Sequence, residues 1–358
     1  MKAEDKAREV ISAFAISGEC INIKVNKQGH INSTFISEFD DNGTKRKYTH
    51  QMINSVVFHD PVRIMDNILA VTEHIRGKLS DVPDKGQRCL EVILSKDGKP
   101  YAIDEDGMYW RTYGFVDDVM SYDKVPGENI AYNLGKGIGN FQLQLSDFDS
   151  SSLYTSLPRF HDMGLRFQQL EEAIEKNPKN RKDEVLDEIE FLEANKERGR
   201  RIWDAFESGE LPSRVTHNDT KINNVLFSPV TGEAMCVIDL DTIMPGTILF
   251  DTGDMIRTAC NTADEDERDA ENVDFSVPCY KALLEGYLEK AGAFITEKER
   301  DGIKESGRMM AQIMAVRFLT DYIAGDVYYK IEYPEHNLVR ARAQIALMKA
   351  MDRRWNEF

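Results

Sequence analysis

The chain has 358 residues, 41% hydrophobic and 30% charged, the balance of a folded globular protein, and its length suggests two domains or lobes. A formal net charge of -17 excludes a general nucleic-acid binder, because affinity for a phosphate backbone comes mainly from clustered Lys and Arg. Five scattered cysteines give neither a disulfide framework nor zinc-ligand spacing, charges interrupt the start "MKAEDKAREVISAFAI", and no run approaches the roughly 18 apolar residues that cross a bilayer, so a soluble cytoplasmic protein with no membrane partner is expected.

In chain order, residues 4 to 15 read as a helix, followed by three short strands, "CINIKV" (20 to 25), "INSTFISEF" (31 to 39) and "RKYTHQMI" (46 to 53), separated by Gly, Asn and Asp turn signals. After Pro61, Ile64, Ile68, Val71 and Ile75 fall at helical spacing, and "CLEVIL" and "MYWRTYGFV" return to strand character. A first lobe over 1–116, a small antiparallel sheet with a helix, is therefore expected, and a mainly helical second lobe over 117–358. The second lobe should hold "NIAYNLGKGIGNFQLQL", one long charged helix around 182 to 208, and amphipathic helices near 277 to 292, 300 to 324 and 336 to 355. Short strands at about 213 to 217, 223 to 228 and 234 to 239 interrupt it. The acidic stretch "ADEDERDAENVD" reads as a solvated surface.

The stretch "THNDTKINNVLF" (216 to 227) carries the chemistry. Phosphoryl transfer needs a carboxylate to orient the attacking hydroxyl, an oxygen ligand for magnesium, and a second acidic metal ligand on a nearby strand. Kinases place the first two in one loop, H-R-D followed by four residues and Asn. Here His217, Asn218 and Asp219 are followed by four residues and Asn224, with Asn in the place of Arg. Downstream, "CVIDLDT" puts Asp239 directly after Val237 and Ile238, so a buried strand ends in an acid aimed out of the core. Taken singly, each acid reads as a turn residue or cap; the joint spacing is what argues for a site.

The segments "RVTHNDTKINNVLF", "VIDLDTIMPGTILFDTGDMIR" and "RFLTDYIAGDVYYKIEYPEHNLVRARAQIAL" resemble the aminoglycoside phosphotransferase and choline kinase-like family, and within it the N-acetylhexosamine 1-kinases. The resemblance implies an α+β, protein kinase-like two-lobe fold and transfer of the ATP γ-phosphate, with Mg2+, to the anomeric hydroxyl of N-acetylglucosamine or N-acetylgalactosamine. By matching position it makes Asp219 the catalytic base, Asn224 and Asp239 the magnesium ligands, and places Lys221 near the transferring phosphate. His217 is expected to brace the loop, and Asp254 to support it; helix capping is the plain alternative for Asp251 and Asp254 in "FDTGDMIR". Arg257 either binds the sugar or pairs with Asp254. Arg317, Asp321 and Tyr328 are expected sugar contacts, against the alternative of an i, i+4 pair between Arg317 and Asp321.

On the nucleotide side, "KQGHINSTFI" would cover the phosphates, with Gly29 permitting close approach and Asn32, Ser33 and Thr34 as small donors. Kinases hold the α and β phosphates with a lysine on the next central strand. "YTHQMIN" offers His50, Gln51 and Met52 instead, and the resemblance implies a basic residue where Met52 stands, which throws the anchoring onto Gln51, the loop backbone and the metal. The hinge at Phe115 and Val116 is expected to present backbone groups to a purine edge. "GKGIG" (135 to 139) follows no strand and lies in a helical pattern, so close helix packing explains it better than a nucleotide loop. Two other readings stay open: a kinase of the same fold acting on an aminoglycoside, choline or homoserine, which the acidic composition suits, and a non-catalytic nucleotide- or sugar-binding module, which Met52 suggests.

Overall fold

A computed structural model describes residues 3–26 and 32–358. The order begins α1 (Ala3–Ile11), β1 (Glu19–Asn26), β2 (Ser33–Asp41), β3 (Thr44–Met52), α2 (Pro61–Lys78), β4 (Val92–Ile93), β5 (Ala102–Ile103) and β6 (Tyr109–Gly114). It continues α3 (Glu128–Gln144), α4 (Met163–Lys176), α5 (Leu186–Ala194), α6 (Lys196–Glu207), β7 (Arg214–Thr216), β8 (Val225–Phe227), β9 (Ala234–Val237), β10 (Met244–Gly246), α7 (Ile248–Ala259), α8 (Val277–Ala291), α9 (Glu297–Ala324) and α10 (His336–Arg353). Two compact units result: one of Met1–Met120, Asp147–Ser156 and Leu226–Met244, the other of Ser121–Ser146, Leu157–Val225 and Pro245–Phe358.

The first unit is built on an antiparallel sheet in the order β1-β2-β3-β6-β4, with β5 also pairing β6. Strand alternation sends Tyr48, His50 and Met52 to one face, where Phe35, Phe39 and Trp110 meet Ala7, Val10, Ile11 and Phe14 from α1 and the turn after it. His50 is fully buried there, its ring nitrogens 2.7 Å from Ser37 Oγ and 2.8 Å from Thr112 Oγ1, and burial lowers its pKa to about 3. Gln51 and its direct partner Arg111 point to the opposite face. Helix α2 starts where Asp60 accepts from the Arg63 amide ahead of Pro61, and it buries the expected Ile64, Ile68, Val71 and Ile75.

In the second unit α4, α7 and α10 pack on α9, which opens with a Thr296/Glu299 capping box and ends at Gly325 with φ 100°. Helices α3 and α8 meet backbone to backbone: a Cβ on Gly135 would lie 2.0 Å from the Leu283 carbonyl oxygen, and one on Gly286 2.0 Å from that of Tyr132. "GKGIG" is thus a packing surface of α3, as its helical context suggested. The single long helix expected around 182 to 208 is instead two, α5 and α6, because the chain turns out of helical geometry at Asn195 (φ -104°), whose amide engages the Phe191 carbonyl and the Arg308 guanidinium. Among the described residues no helix is long and apolar enough to cross a membrane, and all five cysteines are free thiols.

Candidate active site

The H-x-D loop leaves β7 through Thr216 and His217, both fully buried, and turns at Asn218, which holds φ 67°. Asn is among the few side-chain-bearing residues that tolerate this left-handed region, and its amide bonds the Thr216 carbonyl at 3.1 Å and hydroxyl at 3.0 Å. Asp219 follows, about one-third exposed, with Lys221 Nζ 3.0 Å from Oδ2. Asn224 donates to the Asp219 carbonyl at 2.8 Å and carboxylate at 2.9 Å. The structure thus brings Asp219, Lys221 and Asn224 into direct contact. Burial would push the Asp219 pKa up, but the charge of Lys221, the neighbouring His217 and the hydrogen bonds from Lys221 and Asn224 outweigh it and hold the carboxyl below its ordinary value.

What fixes this loop is Asp251, fully buried in the first turns of α7. Its carboxylate accepts from the amides of Asn218 (2.7 Å) and His217 (3.1 Å) and from Gln142 (2.8 Å), while its carbonyl accepts from Thr220 (2.6 Å). His217 accepts from the Asp219 amide at 3.2 Å and lies edge-on to Phe141. Asp254, expected to support the loop, instead receives the Arg257 guanidinium at 2.8 and 3.0 Å, and Glu265 takes the third contact of that arginine at 3.0 Å. Of the two alternatives for Arg257, the structure gives the ion pair. The α7 cap is Thr247, so neither Asp251 nor Asp254 caps the helix. Sequence reasoning passed over Asp251 because an acid near a helix start is usually explained by capping.

Arg317, on α9, lies over the rings of Phe160 (5.2 Å), Tyr329 (5.5 Å) and Tyr328 (5.8 Å). Its pairing with Asp321 is not formed, and neither is Asp321 placed for a sugar: that carboxylate is buried and accepts from the amides of Val327, Tyr328 and Tyr329 and from Asn337, each within 3.0 Å. Asp321 therefore holds the loop that sets the two tyrosines against Arg317. Two neighbours escaped sequence reasoning. Arg166 bonds the Phe160 carbonyl and Gln169, and burial together with the charge of Arg317 lowers its pKa to about 10. His161 lies edge-on to Phe160 (4.6 Å) and tilted against Phe250 (4.8 Å), and burial, with Arg317 and Arg166, lowers its pKa to about 3.

In the first unit the strand expected to end in Asp239 stops earlier: β9 closes at Val237, Val237 and Ile238 are only half-buried, and Asp239 stands exposed two residues on, at φ 62°, another left-handed turn. Two residues on, Asp241 is gripped by Arg111, through Nη1 to Oδ1 and through Nη2 to Oδ2 at 3.0 Å. Arg111 also donates from Nε to Gln51 Oε1 at 2.8 Å. Gln51 Nε2 reaches the hydroxyl of buried Thr34 at 3.2 Å, and Asn32 donates to Asp241 at 2.8 Å. Ser33 is exposed at the start of β2, and Gly29 lies outside the described residues. Met52 packs into the apolar cluster under α1, on the face away from Gln51, so its thioether does not occupy a phosphate-anchor position. The Phe115 amide donates to the Lys47 carbonyl at 3.1 Å, and Val116, expected beside it to face a purine edge, is buried.

An antiparallel-sheet unit, a helical unit and an H-x-D loop closed on an asparagine define a kinase-like enzyme that transfers phosphate to an alcohol. The model of the phosphotransferase enzyme family (APH) matches residues 85–286, and the chain belongs to that family. Solved structures share the fold at low identity: a microcompartment-associated aminopropanol kinase (13% identity, 97% of each chain covered, TM-score 0.64), an aminoglycoside phosphotransferase from Alicyclobacillus acidocaldarius (11%, 98% of this chain and 96% of that one, 0.59), and a choline kinase from Cryptosporidium parvum Iowa II (15%, 96% and 92%, 0.56).

Proposed function

We propose that this phosphotransferase acts on the anomeric hydroxyl of an N-acetylhexosamine, N-acetylglucosamine or N-acetylgalactosamine, with ATP and Mg2+, to give the sugar 1-phosphate. The observation that carries the sugar is the surround of Arg317: aromatic rings from Phe160, Tyr328 and Tyr329, a second guanidinium at Arg166, and, among the described residues, no carboxylate paired with Arg317. A cationic acceptor would be repelled by two arginines, whereas a neutral pyranose with an acetamide carbonyl offers acceptors to a guanidinium and an apolar ring face to an aromatic. The overall charge of -17 favours an amine-bearing alcohol at long range, as do the activities named for the aminopropanol and choline kinases, and this is the second reading. Local charge within a few ångströms outweighs a field screened beyond about 8 Å at physiological salt.

Asp219, ionised across the neutral range, accepts the proton of the attacking hydroxyl, and Asn224 fixes its rotamer. Lys221 neutralises charge on the phosphoryl oxygens. Both amide hydrogens of Asn224 face Asp219, which leaves its Oδ1 as a hard oxygen donor of the kind magnesium takes, and the carboxylate of Asp239, in the first unit, is a donor of the same kind. When bound, the metal supplies charge neutralisation at the phosphates. Incubating the protein with ATP, Mg2+ and a panel of acceptors should yield acid-labile sugar 1-phosphate from N-acetylhexosamines, and Asp219→Asn should lower turnover by about a thousandfold with an unchanged melting temperature. Phosphorylation of amine-bearing alcohols alone would remove the sugar assignment, and full turnover by Asp219→Asn would remove the mechanism.

A further inference from the structure

Arg166 and Arg317 are half-buried, both lie beside Phe160, and among the described residues neither is paired with a carboxylate. We propose that the two guanidiniums form an anion subsite, so that the favoured acceptor is an N-acetylhexosamine bearing a negatively charged substituent, a carboxylate or a phosphate ester. The inference rests on the sugar reading of this site and names the substrate class within it.

The acids around the two arginines are engaged elsewhere. Asp162 accepts from Arg159 Nε at 2.6 Å and from the Leu165 amide at 3.1 Å, where it caps α4. Asp321 takes three backbone amides and Asn337. Glu265 holds Arg257 at 3.0 Å, and Asp219 has Lys221 and Asn224. Two like charges therefore stand close together in a partly desolvated place, and the lowered pKa of Arg166, caused by burial and then by Arg317, is the mark of it.

Hydrogen bonding at the same place is also incomplete. Arg166 Nε and the Tyr329 hydroxyl are buried and have no hydrogen-bond partner among the described residues, and Arg317 Nη1 donates to a thioether, Met314 Sδ at 3.7 Å, a weak acceptor. Both arginines act on the Tyr329 hydroxyl, and burial raises its pKa to about 12, so it keeps its proton and is a donor at neutral pH. An acetamide carbonyl supplies an acceptor but no charge. A carboxylate or phosphate supplies both, and it takes the guanidinium fork in charge-assisted bonds of roughly twice the strength of neutral ones. Tyr328, beside Arg317, is 65% exposed, so the cluster is open to a ligand on that side.

The test compares N-acetylglucosamine and N-acetylgalactosamine with their 6-phosphates and their C6 carboxylates, by calorimetric binding to nucleotide-free protein and by kcat/KM with MgATP. At least one acidic sugar should bind about tenfold or more tightly than its neutral parent, and the one preferred identifies the anion. The preference should shrink between about 50 and about 500 mM salt. Arg166→Met should lower the ratio of acidic to neutral kcat/KM by about tenfold. Arg166→Lys, which keeps the charge and loses the fork, should retain part of the preference, and it serves if Arg166→Met does not fold. Acidic sugars used no better than their neutral parents, or a ratio unmoved in both Arg166 variants, would overturn the proposal. Competitive inhibition by inorganic phosphate without any preference for the acidic sugars would also overturn it, since the subsite would then take a free anion. If no N-acetylhexosamine is bound or phosphorylated, charged or neutral, it is the sugar reading that fails.

Discussion

Asp219 is a carboxylate on which two opposite forces act, and in its proposed role as base that balance sets the acid limit of the reaction. Burial favours the neutral acid, while Lys221, His217 and Asn224 favour the anion and prevail. The base is ionised above its folded pKa, so activity that depends on it disappears as pH falls through that value. In Lys221→Ala one charge and one hydrogen bond to the anion are lost while burial remains, so the pKa moves up. The acid limb of the kcat profile should therefore shift to higher pH by about one unit or more, measured between pH 4 and 8. A lysine that is merely solvated would leave the limb in place. Asp251 shows a complementary use of a buried acid: burial raises its pKa, His217 and the amides of Asn218 and His217 oppose that, and its oxygens are committed to holding the loop.

At the scale of elements, the contact between α3 and α8 leaves no room for a side chain at two of its glycines. Glycines at 135 and 286 let each backbone rest against a carbonyl of the other helix, and a methyl group at either would fall inside that oxygen's radius. Gly286→Ala should lower unfolding free energy by about 2 to 3 kcal/mol despite the better helix propensity of Ala, which is worth only about 1 kcal/mol the other way. Chemical denaturation measures the difference, and a more stable variant would show that the helices can part at little cost. Elements of this kind were legible in the sequence: the strand alternation of β2 and β3, the helical spacing of Ile64 to Ile75 and the small residues in "GKGIG" are all short-range signals. The loop was legible for the same reason, since Asp219, Lys221 and Asn224 lie within six consecutive residues. Arg111 and Asp241 are 130 residues apart, and Asp251 lies 33 from the Asn218 amide it holds. Partners at such separations meet through the fold, and no spacing rule announces them. The break at Asn195 was missed because charged, helix-favouring residues continue on both sides of it.

For the whole molecule, two imidazoles are kept neutral by burial. His50 and His161 each have a folded pKa of about 3, against about 6.5 when exposed in the unfolded chain. Between those values the unfolded state binds a proton that the native state does not, so stability rises with pH and is lost on acidification, by about 1.4 kcal/mol per pH unit for each histidine. Asp251 and Asp254, with raised values, act in the opposite direction at the acid end, but they are common to any histidine variant. His161→Phe should therefore reduce the loss in unfolding free energy between pH 6 and pH 5 by about 1 kcal/mol relative to wild type, read from urea titrations at both values. An unaltered slope would mean that His161 already accepts a proton in the native state.

The left-handed turn at Asn218 has a consequence for how this loop can vary. The residue occupies the middle of the H-x-D triplet and carries none of the proposed chemistry, yet its conformation removes most of the amino-acid alphabet from consideration. A residue with an ordinary Cβ would carry a conformational penalty of about 1 to 2 kcal/mol there, glycine would relieve the penalty but surrender both bonds to Thr216, and β-branched side chains would be worse still. Sequence drift at this position is thus governed by backbone shape, and a library of substitutions at residue 218 would be sparse in survivors for reasons unconnected with catalysis.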